Sequence, residues 1–188
     1  MRIFRFPLPF LALILAAAVA ASAQTSSTPK EPDVPYVPTH EKVVAEMLKV
    51  AKVKKSDVLY DLGSGDGRIV ITAAKKFGTR GTGIELLPAL VQEARDNARK
   101  AGVSELAKFV EGDIFEANIS DATVVTLYLL PAVNMKLRPK LLALRPGTRI
   151  VSHNYDMEDW MPEKTIKISL PDGEHTVFYW VVPAPKKP

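Results

Sequence analysis

The stretch Asp61–Ile71, "DLGSGDGRIVI", sets Gly63, Gly65 and Gly67 at alternate positions between two short apolar runs. The run before it, "SDVLYDL", reads as a strand, and "RIVITAAKKF" reads as a helix from about Arg68 with Gly78 as its stop. The glycines therefore fall where a strand hands over to a helix. Glycine is needed where the backbone takes a positive φ or where a ligand lies against the main chain itself. In an open α/β sheet that junction is at the carboxyl edge, where ligands bind.

Outward from this loop the hydrophobic period changes in a regular order. "EKVVAEMLKVAKV", Glu41–Val53, places Val43, Val44, Met47, Leu48 and Ala51 at helical spacing, with Thr39 as the expected N-cap. A second strand, "RGTGIEL", leads into the helix "PALVQEARDNARKAG", with Pro88 in its first turn and Gly102 past its end. Two further strands, "AKFVEGD" and "ATVVTLYLL", precede a helix over Pro131–Ala143, and "TRIVSHN" makes a fifth strand. "KTIKISLPDGEHTVFYWVV" alternates on both sides of Asp172-Gly173 and reads as an antiparallel hairpin. The pattern predicts an α/β fold: a doubly wound, Rossmann-like, mainly parallel seven-stranded sheet with helices on both faces and an antiparallel hairpin at its C-terminal end.

The chain has 188 residues, 47% of them hydrophobic and 24% charged, which fits one globular domain. It has no cysteine, so disulfides, thiolate ligands and cysteine nucleophiles are excluded. His40, His153 and His175 lie far apart without paired ligand spacing, and no metal site is expected. The net charge is only +4, and the "KVKK" of Lys52–Lys55 reads as a solvated helix end, so no nucleic-acid partner is expected. Met1–Ala23 has a basic start at Arg2 and Arg5, an apolar run, and Ala21 and Ala23 as an A-x-A site: a signal peptide, with an uncleaved membrane anchor as the alternative. The expectation is export or membrane attachment through this segment, with the cytosolic face of the membrane as the other possibility. Residues 24–38, rich in Pro, Ser and Thr, read as a linker, and residues 39–188 as the folded domain.

The loop's neighbours narrow the ligand. The glycine spacing is one residue short of the dinucleotide fingerprint G-x-G-x-x-G, and the lysine of a P-loop is missing after Gly67. Asp61 and Asp66 put carboxylates in the loop, which repel phosphate and attract a cation. Glu85 ends the second strand and can accept both hydroxyls of a ribose. Asp113, at the third strand's tip, can accept from an exocyclic amine, with Leu86 and Ile114 as apolar walls for a ring. Together these residues describe a pocket for a nucleoside that carries positive charge.

The D-x-G-x-G-x-G loop, the acid ending strand two and the "EGDI" after strand three resemble class I S-adenosylmethionine-dependent methyltransferases. "PYVPT" at Pro35–Thr39, "VVTLYLLP" at Val124–Pro131 and "RIVSHNY" before Trp160 are similar to the protein-lysine methyltransferases that modify the c-ring protein of ATP synthase and the adenine nucleotide translocase. The resemblance implies S-adenosyl-L-methionine as cofactor, with its methionine part along Asp61, Gly63 and Gly65, its ribose at Glu85, and adenine beside Asp113 and Ile114; Gly67 and Leu86 complete the expected cofactor-binding set. It implies a protein lysine as acceptor, with a membrane protein as the target class. Many amine-methylating enzymes carry Asn/Asp-Pro-Pro-Tyr after strand four, where this chain has "YLLP". Tyr128 therefore stands as the acceptor-side residue, in an apolar channel expected from "LYLLP" (Leu127–Pro131) with Tyr36 and Trp160. Two other readings remain: a non-catalytic exported nucleoside-binding module and a nicotinamide-dependent oxidoreductase.

Overall fold

The computed structural model describes residues 36–184; Met1–Ala23 and the first part of the linker lie outside the described residues. The elements follow as α1 (Glu41–Val50), β1 (Val58–Leu62), α2 (Arg68–Phe77), β2 (Arg80–Glu85), α3 (Pro88–Lys100) and β3 (Ala107–Glu111). After them come β4 (Val124–Leu127), α4 (Pro131–Leu142), β5 (Arg149–His153), β6 (Lys164–Leu170) and β7 (Gly173–Val181). They form one seven-stranded sheet in the order β3-β2-β1-β4-β5-β7-β6. The first five pair in parallel, and β7 runs antiparallel to both β5 and β6. The expected fold class is the one found.

Strand alternation sorts side chains between two cores, because successive residues point to opposite faces. Val124, Val151, Val177 and Tyr179 pack with α1, α2 and α3, whereas Val125, Ile150 and Trp180 pack with α4. Ile119 and Ala122, in the helix-free crossing between β3 and β4, help to cover that second face.

Two features of α1 differ from the sequence reading. Its N-cap is His40, whose Nδ1 accepts from the Lys42 amide at 3.2 Å. Thr39 is 4% exposed and faces the interior instead. The helix also stops at Val50 rather than Val53, because Lys52 takes a left-handed φ of 50°. The Val53 and Lys52 amides then donate back to the carbonyls of Leu48 and Lys49 at 3.1 and 2.9 Å, satisfying the helix terminus.

At the start of α2, Gly67 has φ 82° and sits flush against the sheet. A Cβ there would lie 2.5 Å from the Phe109 ring of β3 and 3.0 Å from Ala94 of α3. Its role is to let the helix dock closely. Gly67→Ala should therefore cost roughly 2–4 kcal/mol from left-handed strain plus overpacking. A urea titration should show the midpoint fall with the slope unchanged; an unmoved midpoint would refute the packing role.

Candidate active site

The glycine loop is hung from the end of β2. The amides of Gly63 and Ser64 both donate to the Ile84 carbonyl, at 2.9 and 3.1 Å. The Gly65 amide donates to Glu85 Oε2 at 2.9 Å, and the Leu87 amide to Glu85 Oε1 at 3.0 Å. These bonds fold the chain back over the strand tips and leave a cleft of about 880 Å³, its open mouth included.

The cleft lies outside the carboxyl ends of β1, β2, β3 and β4, around the point where the strand order reverses. Its walls bring together Asp61, Gly63, Gly65, Glu85, Leu86, Asp113, Ile114, Tyr128 and Tyr36. Gly67, expected among the ligand-facing glycines, is not in the lining; it is spent on packing against Phe109 and Ala94. Trp160 is also elsewhere. Its carbonyl accepts from Trp180 Nε1 at 2.6 Å and the two rings pack 5.9 Å apart, so it belongs to the α4-side core and not to an acceptor channel.

The segment Tyr36–Thr39 crosses the cleft as a strap, so the end of the expected linker folds with the domain. Arg68 fastens it. Its Nη1 donates to the Thr39 carbonyl at 2.8 Å, while its Nη2 pairs with Asp66 at 2.6 Å. A Cβ on Gly65 would lie 2.3 Å from Tyr36 Cε2, so the close approach this glycine permits is that of the Tyr36 ring. Asp66, read from sequence as a carboxylate for a ligand, is the buckle of this clasp. Burial alone would raise its carboxyl, but the hydrogen bonds and charge of Arg68 outweigh burial and hold it below its ordinary value.

The other acids keep different company. Asp61 is 2% exposed, and Thr126 Oγ1 donates to its Oδ1 at 2.7 Å. Burial, opposed by that bond and reinforced by the charges of Glu85 and Asp66, pushes its carboxyl up to about 7. A cation beside Asp61 would favour its ionised form. Asp113 accepts from the Phe115 amide at 2.9 Å, so one of its oxygens shapes the turn after β3. Tyr128 lies with its ring centroid 3.9 Å from that of His153 and 6.5 Å from that of Tyr155. Burial, with Tyr155 next, raises its phenol above the ordinary value.

Residues 61–164 match the model of the ANTKMT methyltransferase domain. The chain belongs to this family. It is 50% identical over 153 residues to a protein-lysine N-methyltransferase of Saccharolobus islandicus, covering 80% of this chain and 95% of that protein. It is 36% identical over 132 residues to the mouse lysine N-methyltransferase named for the c-ring protein of ATP synthase, covering 70% of this chain and 53% of that protein. It therefore spans about half the length of the mouse relative. Among solved structures, the RNA methyltransferase from Salinibacter ruber in complex with S-adenosyl-L-homocysteine matches at 56% identity and a TM-score of 0.75, over 80% of this chain and 98% of that one.

The protein is thus a methyltransferase that uses S-adenosylmethionine. Its cleft suits that cofactor on its own evidence: a nearly buried carboxylate at Asp61 stands ready for positive charge, Glu85 has both oxygens already oriented by backbone amides, and glycines leave room beside the main chain. Sequence reasoning missed Thr39, Ser64, Leu87, Leu90 and Val133 in the lining, and Arg68 as the strap's fastener, whereas Leu129 lies in the "LYLLP" expected in the channel. The i, i+4 spacing of Val133, Leu137 and Leu141 was the available signal for Val133; nothing local announced Arg68.

Asp61 makes stability depend on pH. Its folded pKa of about 7 lies above the ordinary carboxyl value of 3.8. The folded state therefore binds the extra proton between those values, and stability falls as pH rises through that window, levelling above about 7. The accumulated cost is roughly 4 kcal/mol at 1.36 kcal/mol per unit. Asp61→Asn keeps an acceptor for Thr126 and removes the titration. Without cofactor, the variant's advantage in denaturant midpoint should grow from pH 4 to pH 7 and then stay level; an advantage equal at pH 4.5 and pH 8 would refute the buried-acid account.

Proposed function

We propose that this methyltransferase modifies the side-chain amine of a protein lysine, with a membrane protein as the target class. The observation that carries this reading is the aromatic and apolar part of the cleft's lining, Tyr36, Tyr128, Leu129 and Val133, with Val37 and the neighbouring Leu130 exposed. A lysine at its reference pKa near 10.4 needs about 4.6 kcal/mol to be neutral at pH 7. An apolar wall lowers that cost by disfavouring the ammonium form, and the faces of Tyr36 and Tyr128 can hold the cation before it loses its proton. The likeness to the archaeal and mouse lysine methyltransferases supports the same reading.

On this reading Asp61, Gly63 and Gly65 hold the charged methionine portion, Glu85 receives the ribose hydroxyls, and Leu86, Asp113 and Ile114 receive adenine. The cofactor supplies the electrophilic methyl, so the protein's task is to hold the acceptor nitrogen in line and keep water out. Tyr36 and Tyr128 do this at the acceptor side, and the strap closed by Arg68 covers the loop. Met1–Ala23 supports export or attachment to a membrane; among the described residues no helix is long and apolar enough to cross one.

Calorimetry should give S-adenosylmethionine a dissociation constant in the low-micromolar range, about −8 kcal/mol, with NAD much weaker; tighter NAD binding would overturn the site. Glu85→Ala should weaken binding at least tenfold, since hydrogen bonds to a carboxylate contribute roughly 1.5–3 kcal/mol each. Tyr128→Ala should lower turnover far more than cofactor affinity, and equal losses in both would move Tyr128 to the cofactor side. The acceptor is tested with membrane protein and total RNA from cells lacking the enzyme, each incubated with labelled S-adenosylmethionine. Label on lysine of a membrane protein is the expected result; label on RNA alone would overturn the lysine reading in favour of the chemistry named for the Salinibacter protein.

A further inference from the structure

A line of ring nitrogens runs from the cleft to the surface through β5 and β7, outside every cofactor contact described above. His153 ends β5, is 1% exposed, and lies against the ring of Tyr128. Each of its nitrogens faces one partner: Nδ1 is 3.4 Å from Thr39 Oγ1, and Nε2 is 2.9 Å from His175 Nδ1. His175 Nε2 lies 3.3 Å from Oδ1 of Asp172, on the exposed turn of the hairpin. Thr39 lines the cleft together with Tyr36 and Tyr128. The Thr39 separation is at the long end for a hydrogen bond, and contacts of this kind tighten when an acceptor is held.

The direction of this line is fixed by counting protons. Burial first, and the neighbouring His175 second, with Asp172 opposing, push the His153 ring down to about 4, so it is neutral at physiological pH. A neutral imidazole has one donor and one acceptor nitrogen. His153 must therefore offer opposite roles to Thr39 and His175. The hydrogen bond with His175 holds the Asp172 carboxyl below its ordinary value, so Asp172 is ionised and only accepts. A neutral His175 then donates from Nε2 to Asp172 and accepts at Nδ1 from His153 Nε2. His153 Nδ1 is left to accept the hydroxyl hydrogen of Thr39. Protonation of His175 reverses the line, since both its nitrogens then donate and His153 Nδ1 must carry the hydrogen that faces Thr39.

We propose that His175 is a positioning residue for the acceptor amine: acting through His153, it commits the Thr39 hydroxyl hydrogen and leaves Thr39 Oγ1 as an acceptor for an N–H of the amine. The inference rests on the amine reading given above. An amine that donates to Oγ1 keeps its lone pair free for the methyl, whereas a hydroxyl that donates to the nitrogen occupies that lone pair. Methyl transfer should thus need His175 in its neutral form, in addition to a neutral amine. The titratable groups facing the line are Asp172 on the turn, His40 at the start of α1, which acts on Asp172, and Tyr128 with Tyr155 beyond it. Lys167 and Glu174 pair with each other at 2.9 Å on the opposite face of the hairpin, one residue out of phase with His175.

The test has two arms. Nitrogen-15 NMR of the histidine rings, with S-adenosylhomocysteine bound, should show Nε2–H on both His153 and His175 at pH 7.5. For the kinetic arm, the membrane fraction from cells lacking the enzyme serves as acceptor, at saturating labelled S-adenosylmethionine. Thr39→Val and His175→Phe should slow labelling at least tenfold with the cofactor dissociation constant changed less than twofold. Thr39→Ser and His175→Gln, which retain the donor and acceptor pattern, should stay within threefold. His153 carrying its hydrogen on Nδ1 at pH 7.5 would overturn the inference whatever the acceptor is. The expected tautomers together with an unaltered rate for Thr39→Val would overturn the positioning role while leaving the amine reading intact. Wild-type enzyme that labels no protein would overturn the amine reading and this inference with it.

Discussion

Glu85 accepts amides from both sides of the cleft, from Gly65 in the glycine loop and from Leu87 before α3. Much else in the site depends on that carboxylate. Hydrogen bonds to a charged acceptor contribute roughly 1.5–3 kcal/mol each, enough to hold a glycine-rich loop that has little intrinsic preference of its own. With Gly63 and Ser64 both tied to the Ile84 carbonyl, the loop's height above the sheet is fixed, and with it the start of α2. Gly67 then has to pass within contact of Phe109, which only a residue without a side chain can do. Glu85 therefore has a structural role of its own, and its place in the cleft wall is fixed by the backbone it supports.

The two aspartates of the loop show how neighbours, more than position, decide what a carboxylate does. Asp61 and Asp66 are five residues apart, and both are poorly solvated. Asp66 has Arg68 on its side chain and is held ionised. Among the described residues Asp61 has only a neutral hydroxyl, from Thr126, and it stands near half-protonation at neutral pH. Thus Asp66 closes the strap, and Asp61 is left ready for a positively charged ligand. A cofactor whose reactive sulfur is cationic is matched to that arrangement, because the charge it brings offsets the burial of the acid.

The sheet, the hairpin and the position of the loop are legible in the sequence because they follow from local periodicity and from glycine and proline at junctions. The acids at successive strand tips are legible too, since strand ends in a parallel sheet share one edge. Pairings set by the folded chain are not. Thr39 reads as the cap of α1 because nothing local shows that its partner is His153, 114 residues away. Trp160 reads as available for the acceptor side because its packing on Trp180 depends on the register of the hairpin. Gly67 groups in sequence with its two neighbours, although its side-chain space is claimed by β3 and α3. Lys52 in a left-handed conformation ends α1 early, in a segment whose apolar spacing continues to Val53.

The hairpin sits apart from the strands that frame the cleft. The cleft that suits the cofactor is framed by β1, β2, β3 and β4, all parallel, whose carboxyl ends lie together. β7 is inserted antiparallel between β5 and β6, so it is its beginning, and the turn at Asp172, that reach the same edge as His153. In the register of this pairing Val177 stands opposite His153, and His175 follows two residues along on the same face, within diagonal reach. A parallel strand at this place would bring its carboxyl end to that edge instead, and the turn would lie far from the cleft. The hairpin thus brings His175 and Asp172 to the side of His153, while the strands that frame the cleft are β1 to β4. No hairpin residue lines the cleft, so changes in the hairpin leave its walls in place.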